Sequence, residues 1–215
     1  MRQYLEPTPL LDSDHPRVID FATRACTTAE TAVERARALF YAVRDGVRYS
    51  PYHIDLNPAA MRASAVLMRG TAFCVPKAGL LAAAARAMGI PSRLGFADVR
   101  NHLATERLLR LIRTDVFRLH GYVELRLGGR WVKATPAFNR QLCERLGVSP
   151  LDFDGRHDAM LQRWNGAGEQ YLEYLADRGH FDDLPLQLIA EELRTHYPAL
   201  LGPEGAGADP AFTGD

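Results

Sequence analysis

The sequence predicts a fold that mixes helices and strands, with helical segments in the first part of the chain and strands after them. Apolar residues recur at helical spacing between residues 28 and 44. An Ala/Leu-rich segment over 74–88 has high helix propensity. Two alternating apolar and polar runs then flank Gly128-Gly129, which is typical of a β-hairpin.

The length of 215 residues suits one well-filled core. We therefore expect a single domain over 1–201. The Gly-, Ala- and Pro-rich segment 202–215 is expected to be a disordered tail.

The balance of charge excludes several classes of partner. The chain has 26 basic and 26 acidic residues, so it lacks the basic surface that favours nucleic acid or an anionic membrane.

Its three cysteines are an odd number without Cys-x-x-Cys spacing, which predicts neither a disulfide framework nor a zinc site. Together with the lack of a signal-peptide pattern or a long apolar segment, this predicts a soluble, cytoplasmic protein without a membrane partner.

The first part of the chain is predicted to be mostly helical. After an extended, proline-containing arm, helices are expected over about 17–24, 28–44 and 58–69. Thr27-Thr28-Ala29-Glu30 has the spacing of a capping box and is expected to open the second of these helices.

Cys74 lies where the Ala/Leu-rich helix is expected to begin. Pro76 is tolerated in the first turn of a helix, while Gly89 and Pro91 mark its end. A thiol at this position would contact unpaired backbone N–H groups and the positive end of the helix dipole, which favour a thiolate. The same N–H groups would suit an oxyanion, so Cys74 is a candidate nucleophile. A free cysteine at such a place is otherwise a small buried apolar residue.

The hairpin predicts which residues of two strands share a face. With Gly128 and Gly129 as a two-residue loop, paired positions sum to 257, so Thr135 becomes a diagonal neighbour of His120. His120 opens the first strand, on the sheet against which the cysteine helix is expected to pack, and is the preferred candidate base for Cys74. His102 is the second candidate.

The order of these parts resembles the bacterial transglutaminase-like family, a branch of the papain-like cysteine enzymes. The resemblance rests on Gly70-x-x-x-Cys74, the helix ending in Gly-Ile-Pro-Ser-Arg93, the strand opened by His120, and Trp131-x-x-x-Thr135-Pro136. It covers about residues 30–140. It implies an α+β fold in which a helix carrying the nucleophile Cys74 packs on an antiparallel β-sheet, with His120 as general base.

The third position of the catalytic group departs from this family. The family usually has Asp-Pro after the Trp strand, where the Asp orients the histidine, whereas this chain has Thr135-Pro136. A hydroxyl accepts a hydrogen bond but carries no charge to stabilise an imidazolium. Asn139 is a candidate replacement, because an amide oxygen orients histidine in papain-like proteases. Asp154 and Asp158 are further candidates.

Three functions remain open from the sequence. The first is acyl transfer or hydrolysis of a peptide, amide or thioester through a Cys74 thioester, with neither a cofactor nor a metal. The second is a binding or scaffold protein that keeps the fold without efficient chemistry, which the uncharged Thr135 favours. The third, a metal-dependent hydrolase using His102, Asp115 and His120, lacks ligand spacing on any one element. The sequence leaves the oligomeric state open.

Overall fold

A four-stranded antiparallel sheet, flanked by helices, forms the centre of the molecule in a computed structural model that describes residues 1–207 and 209–212. The α-helices are α1 (Pro16–Ala25), α2 (Ala32–Gly46), α3 (Pro58–Met61), α4 (Ala63–Arg69), α5 (Cys74–Ala87), α6 (Glu106–Ile112), α7 (Arg140–Arg145), α8 (Leu186–His196) and α9 (Pro198–Leu201). The strands are β1 (Arg48–Tyr49), β2 (Thr71–Ala72), β3 (Ser92–Asn101), β4 (Val116–Leu127), β5 (Arg130–Ala134) and β6 (Leu172–Phe181).

The main sheet has the strand order β5-β4-β3-β6, and each neighbouring pair is antiparallel. Strands β1 and β2 form a separate parallel pair just before α5. This arrangement confirms the α+β class with an antiparallel sheet. None of the helices in the described part of the chain is long and apolar enough to cross a membrane.

Helix α5 is the central helix of the core. It contacts α1, α2 and α4 on one side and strands β3 and β4 on the other. Every residue from Val75 to Arg86 is buried, which explains why the segment shows no polar face in the sequence. The helix begins at Cys74, as the sequence predicts.

The β4–β5 hairpin has the predicted register. Val123 pairs with Ala134 and Leu127 with Arg130, so paired positions sum to 257 throughout the ladder. Gly128 and Gly129 have φ values of +54° and +81°, which a two-residue turn of this hand requires and which glycine adopts without strain.

Two local predictions in the N-terminal part are wrong. The capping box that opens α2 is formed by Thr31 and Glu34, so the helix starts later than the Thr27–Glu30 pattern indicated. The helix expected over 58–69 is divided at Arg62, which has an extended backbone and caps the second piece. For the capping box, an equally good local pattern lay within a few residues of the true one.

The C-terminal segment differs from the disordered tail that we expected. Pro203–Ala206 forms a short 3₁₀ helix, and Phe212 packs against Tyr49 and Tyr52. Asp209 accepts hydrogen bonds from the hydroxyls of Tyr52 and Thr105. Residues 208 and 213–215 lie outside the described part, so the expectation for them remains a prediction.

Candidate active site

Cys74 is the first residue of α5 and is half-buried. The residue before it, Phe73, has an extended backbone and provides no side-chain cap, so the first N–H groups of the helix are not taken by a capping side chain. The backbone N–H groups of Cys74, Val75 and Gly121 are directed at the thiol and lower its pKa. These groups are suitably placed to stabilise negative charge next to the sulfur.

Burial nevertheless dominates the titration of Cys74. Loss of solvent raises the pKa of the thiol to about 11, although the three N–H groups act in the opposite direction. The sequence argument from the helix N-terminus was therefore incomplete, because it took the N–H groups into account but not the surrounding apolar walls. At neutral pH the resting group is a thiol.

Gly121 allows β4 to approach the start of α5 closely. A Cβ at this position would lie 2.9 Å from the Cα of Val75, closer than real Cβ atoms come to backbone. Only glycine therefore fits without moving the strand away from the helix. Because Gly121 follows His120 directly, this contact brings the histidine strand against the cysteine helix.

His120 lies on β4, opposite Ala97 of β3, and is buried. Its Nε2 atom has no solvent contact and no hydrogen-bond partner among residues 1–207 and 209–212. His120 lines the same cavity as Cys74. Burial lowers the pKa of the imidazole to about 4, so the resting histidine is neutral.

A β-bulge immediately precedes His120. The register of β3 and β4 shifts between Ala97 and Val99, and Leu119 takes a φ of +52°, which is unusual for a residue with a side chain. The Oδ1 atom of Asp98 accepts a hydrogen bond of 3.1 Å from the N–H of Leu119. A bulge re-aims the side chains beside it, so this carboxylate helps to set the direction of His120.

Asp98 is itself held by a chain of charges from the C-terminal elements. Its Oδ2 atom lies 2.8 Å from a guanidinium nitrogen of Arg178 on β6, and Arg178 lies 2.6 Å from Glu192 on α8. Sequence reasoning missed Asp98. The available signal was an acidic residue inside the otherwise apolar run 94–99 of β3.

Thr135 follows β5 directly. Its N–H donates to the carbonyl of Ala159, and its buried Oγ1 atom has no hydrogen-bond partner in the part of the chain that the structure describes. The β4–β5 ladder ends at Ala134, so the strand pairing from which we placed Thr135 beside His120 does not continue that far. Thr135 and His120 thus each bury one polar atom that forms no hydrogen bond within 1–207 and 209–212, and no hydrogen bond joins these two side chains.

Asn139 is committed to another contact. Its side-chain oxygen accepts a 3.0 Å hydrogen bond from the N–H of Tyr49, and its nitrogen donates to Gln141. It does not hydrogen-bond to Nε2 of His120, so the expectation that Asn139 orients the histidine is not met. Instead, Asn139 fixes the backbone of Tyr49 beside the site.

The other predicted alternatives also lie in separate contacts. Asp154 pairs with His157, and Asp158 accepts the N–H of Lys133. His102 lies 3.3 Å from Glu173. The described residues contain no group of three or more His, Cys, Asp or Glu side chains that could hold a metal ion.

Tyr49 is a second residue that sequence reasoning missed. Its ring is buried, packs edge-on against Phe138 at 4.8 Å between ring centroids, and lines the same cavity as Cys74 and His120. Burial, and next the neighbouring Cys74, raise the pKa of its phenol, which therefore keeps its proton. A tyrosine at the end of a short strand carries no sequence signal for this position.

The cavity beside Cys74 and His120 has a volume of about 60 Å³. Its walls come from α6, β4, α8 and α9, and its half-buried rim includes Ile54, Phe73 and Phe117. A thiol, an imidazole and directed N–H groups at one end of an apolar cavity are the parts that acyl transfer needs.

Comparison with known proteins places this site in a family. The model of the transglutaminase-like superfamily matches residues 19–136, more than half of the chain. The chain belongs to the transglutaminase-like superfamily. The matched segment of this transglutaminase-like chain contains Cys74, His120 and Thr135 and ends before β6 and α8.

A solved structure of a provisionally assigned cysteine protease from Cytophaga hutchinsonii is similar to this transglutaminase-like chain at 16% sequence identity, with a TM-score of 0.48. The match covers 83% of this chain and 53% of the other, so this chain spans about half the length of that protein. No curated protein gives a significant match to the sequence.

Proposed function

We propose that this transglutaminase-like protein is a cysteine-dependent acyl-transfer enzyme, with Cys74 as nucleophile and His120 as general base. The observation that supports the proposal is the shared cavity, which is lined by both Cys74 at the start of α5 and His120 of β4, next to the close Gly121 contact. The partners supported are a peptide, an amide or a thioester, since each presents a carbonyl to a thiol.

The reaction has two steps. In the first, the imidazole takes the thiol proton while sulfur forms a bond to the carbonyl carbon, and the N–H groups of Cys74, Val75 and Gly121 stabilise the oxyanion. The proton then passes to the leaving amine or thiol as its bond to carbon breaks. In the second, water or an amine gives its proton to the imidazole and attacks the thioester, which releases the acyl product and restores the thiol.

Neutral resting groups define how His120 acts. Because burial keeps Cys74 as a thiol and His120 as an imidazole, proton transfer accompanies attack instead of preceding it. Hydrolysis is the more general second step, because transfer to an amine also needs a site that favours amine over water.

Acylation of Cys74 by p-nitrophenyl acetate tests the proposal. We expect a burst of p-nitrophenolate close to one equivalent and an acetyl group on the Cys74 peptide in mass spectrometry. Cys74→Ala and His120→Ala should abolish or strongly slow the burst, whereas Cys143→Ala, which removes a buried thiol elsewhere, should leave it intact. Acetylation that is equal in wild type and His120→Ala would contradict the assigned base.

A binding or scaffold role is the second candidate, favoured by Nε2 of His120, which has no orienting partner among the described residues. Such a protein would bind without acylation at Cys74, so absence of the burst would favour it. The three free thiols, Cys26, Cys74 and Cys143, support a reducing compartment such as the cytoplasm for either role.

A further inference from the structure

The cavity next to Cys74 is apolar beyond the reacting groups. Helices α6, α8 and α9 turn buried aliphatic side chains toward it, and none of these helices contributes to the reaction proposed above. The aliphatic residues are Leu108, Ile112, Ile189, Leu193 and Leu200. A surface of this kind stabilises apolar groups by removing them from water, at about 25 cal/mol per Å².

The charges in the cavity wall are already paired. Two charged residues line it, Arg118 and Glu192. A guanidinium nitrogen of Arg118 lies 3.7 Å from Asp98, and Oε1 of Glu192 lies 2.6 Å from Arg178. Oε2 of Glu192 has no hydrogen-bond partner among residues 1–207 and 209–212 and lies 3.6 Å from Nε2 of His196. A charged substrate group entering this space would lose its hydration next to charges that Asp98 and Arg178 already compensate, which is unfavourable.

The size of the cavity limits what enters it. Its volume is about 60 Å³, whereas an engineered protein cavity of about 150 Å³ binds benzene. The space therefore accommodates a few methyl or methylene groups but not an aromatic ring.

Resting on the proposed function, we propose that the acyl group transferred by Cys74 carries a compact, uncharged aliphatic side chain, from alanine to valine in size, which occupies this cavity. The carbonyl then lies between the thiol and the directed N–H groups, while the side chain extends toward α8 and α9. The aliphatic side chains of α6, α8 and α9 would then select which acyl group reacts with Cys74.

A homologous series of N-acetyl amino-acid chloromethyl ketones tests the selection. In each, the sulfur of Cys74 displaces chloride from the chloromethyl carbon, and His120 takes the thiol proton. We expect the second-order rate constant of Cys74 labelling to rise about fourfold per methylene from glycine through alanine and 2-aminobutyrate to valine, from about 0.8 kcal/mol for each buried methylene. The phenylalanine, lysine and glutamate reagents should be slower than valine.

Two variants and a control locate the effect. Leu193→Phe should reduce the ratio of valine to glycine rates by filling the cavity, and Leu200→Ala should move the optimum to larger side chains. Leu188→Phe changes the same helix as Leu193 but lies outside the cavity lining, so it should leave the ratio unchanged.

The outcomes separate this inference from the proposed function. A flat series with His120-dependent iodoacetamide labelling of Cys74 would overturn the selection and leave the nucleophile in place. A faster reaction with the lysine or glutamate reagent would also overturn it. Failure of every reagent, iodoacetamide included, would instead contradict the proposed function itself.

Discussion

Replacing Thr135 by aspartate tests how the uncharged third position controls the cysteine and histidine pair. Thr135 stands where the transglutaminase-like family usually has an aspartate. Its hydroxyl and Nε2 of His120 are both buried without a hydrogen-bond partner among the residues that the structure describes. We propose that a carboxylate here accepts a hydrogen bond from Nε2–H and stabilises the imidazolium. The substitution should therefore favour the thiolate and imidazolium ion pair.

The expected magnitude follows from the two pKa values. Burial places the pKa of Cys74 at about 11 and that of His120 at about 4. The difference of about 7 units puts the ion pair about seven orders of magnitude below the neutral pair, before their mutual attraction is included. A carboxylate within 4–6 Å raises the pKa of a cationic group by about 1–3 units, which increases the ion pair by about ten- to a thousandfold.

The assay is the rate of iodoacetamide labelling at Cys74 as a function of pH. Thr135→Asp should raise the neutral plateau at least about tenfold and move its acid limb upward by about 1–3 pH units. Thr135→Asn is the control, because asparagine has the shape of aspartate without its charge. Adding His120→Ala to Thr135→Asp should remove the increase in labelling rate. Equal rates in the Asp and Asn variants would refute the proposal that a carboxylate at position 135 acts on the imidazole.

Three further predictions concern positioning and stability. Gly121→Ala should force strand β4 away from α5, because the added Cβ would lie 2.9 Å from the backbone of Val75. The rate of Cys74 labelling should fall about a hundredfold. Gly46→Ala is the control, because its Cβ would point into open space, and it should leave the labelling rate unchanged. Asp98→Ala should slow the labelling of Cys74, whereas Asp98→Asn, which keeps an oxygen to accept the N–H of Leu119, should keep the wild-type rate. Equal rates in the two variants would contradict a role of Asp98 in positioning His120. Burial lowers the pKa of Lys77 to about 7. The unfolded chain therefore binds more protons between pH 7 and about 10.5, so the free energy of unfolding should rise with pH by up to about 1.4 kcal/mol per unit. Urea titrations of Lys77→Met should lack this slope.

Much of the fold follows from local patterns. Pro76 and Gly89 delimit α5, and the two glycines of the hairpin determine both its turn and its register. These features are predictable because each depends on backbone restrictions of one or two residues. The start of α2 was harder, since both 27–30 and Thr31 to Glu34 have the spacing of a capping box, and the local pattern alone does not distinguish them.

The site was predictable in its two reacting groups and much less so in their surroundings. The bulge at Leu119 depends on Asp98, which is distant in sequence and is held by residues of β6 and α8. Asn139 was a candidate partner of His120 because an amide oxygen orients histidine in papain-like proteases, but its side chain bonds to Tyr49, 90 positions earlier in the chain. No local pattern encodes such pairings, because they arise only when separate elements pack together.

The direction of the pKa shifts was also beyond the sequence. The helix N-terminus favours the thiolate of Cys74, but the buried aliphatic walls contributed by α6, α8 and α9 outweigh it. Some of those walls come from segments more than 100 residues away in the chain, and their packing beside Cys74 was not predicted.

The most direct test of the proposed function is the pH profile of iodoacetamide labelling at Cys74 in wild type and His120→Ala. If neutral His120 takes the thiol proton during attack, wild type should show a rate plateau whose acid limb lies near pH 4, the pKa of the buried imidazole. His120→Ala should lose the plateau and show only a rate that rises tenfold per pH unit toward the thiol pKa of about 11. Superimposable profiles would show that His120 does not act on Cys74 and would contradict the assignment of this pair as the reacting groups.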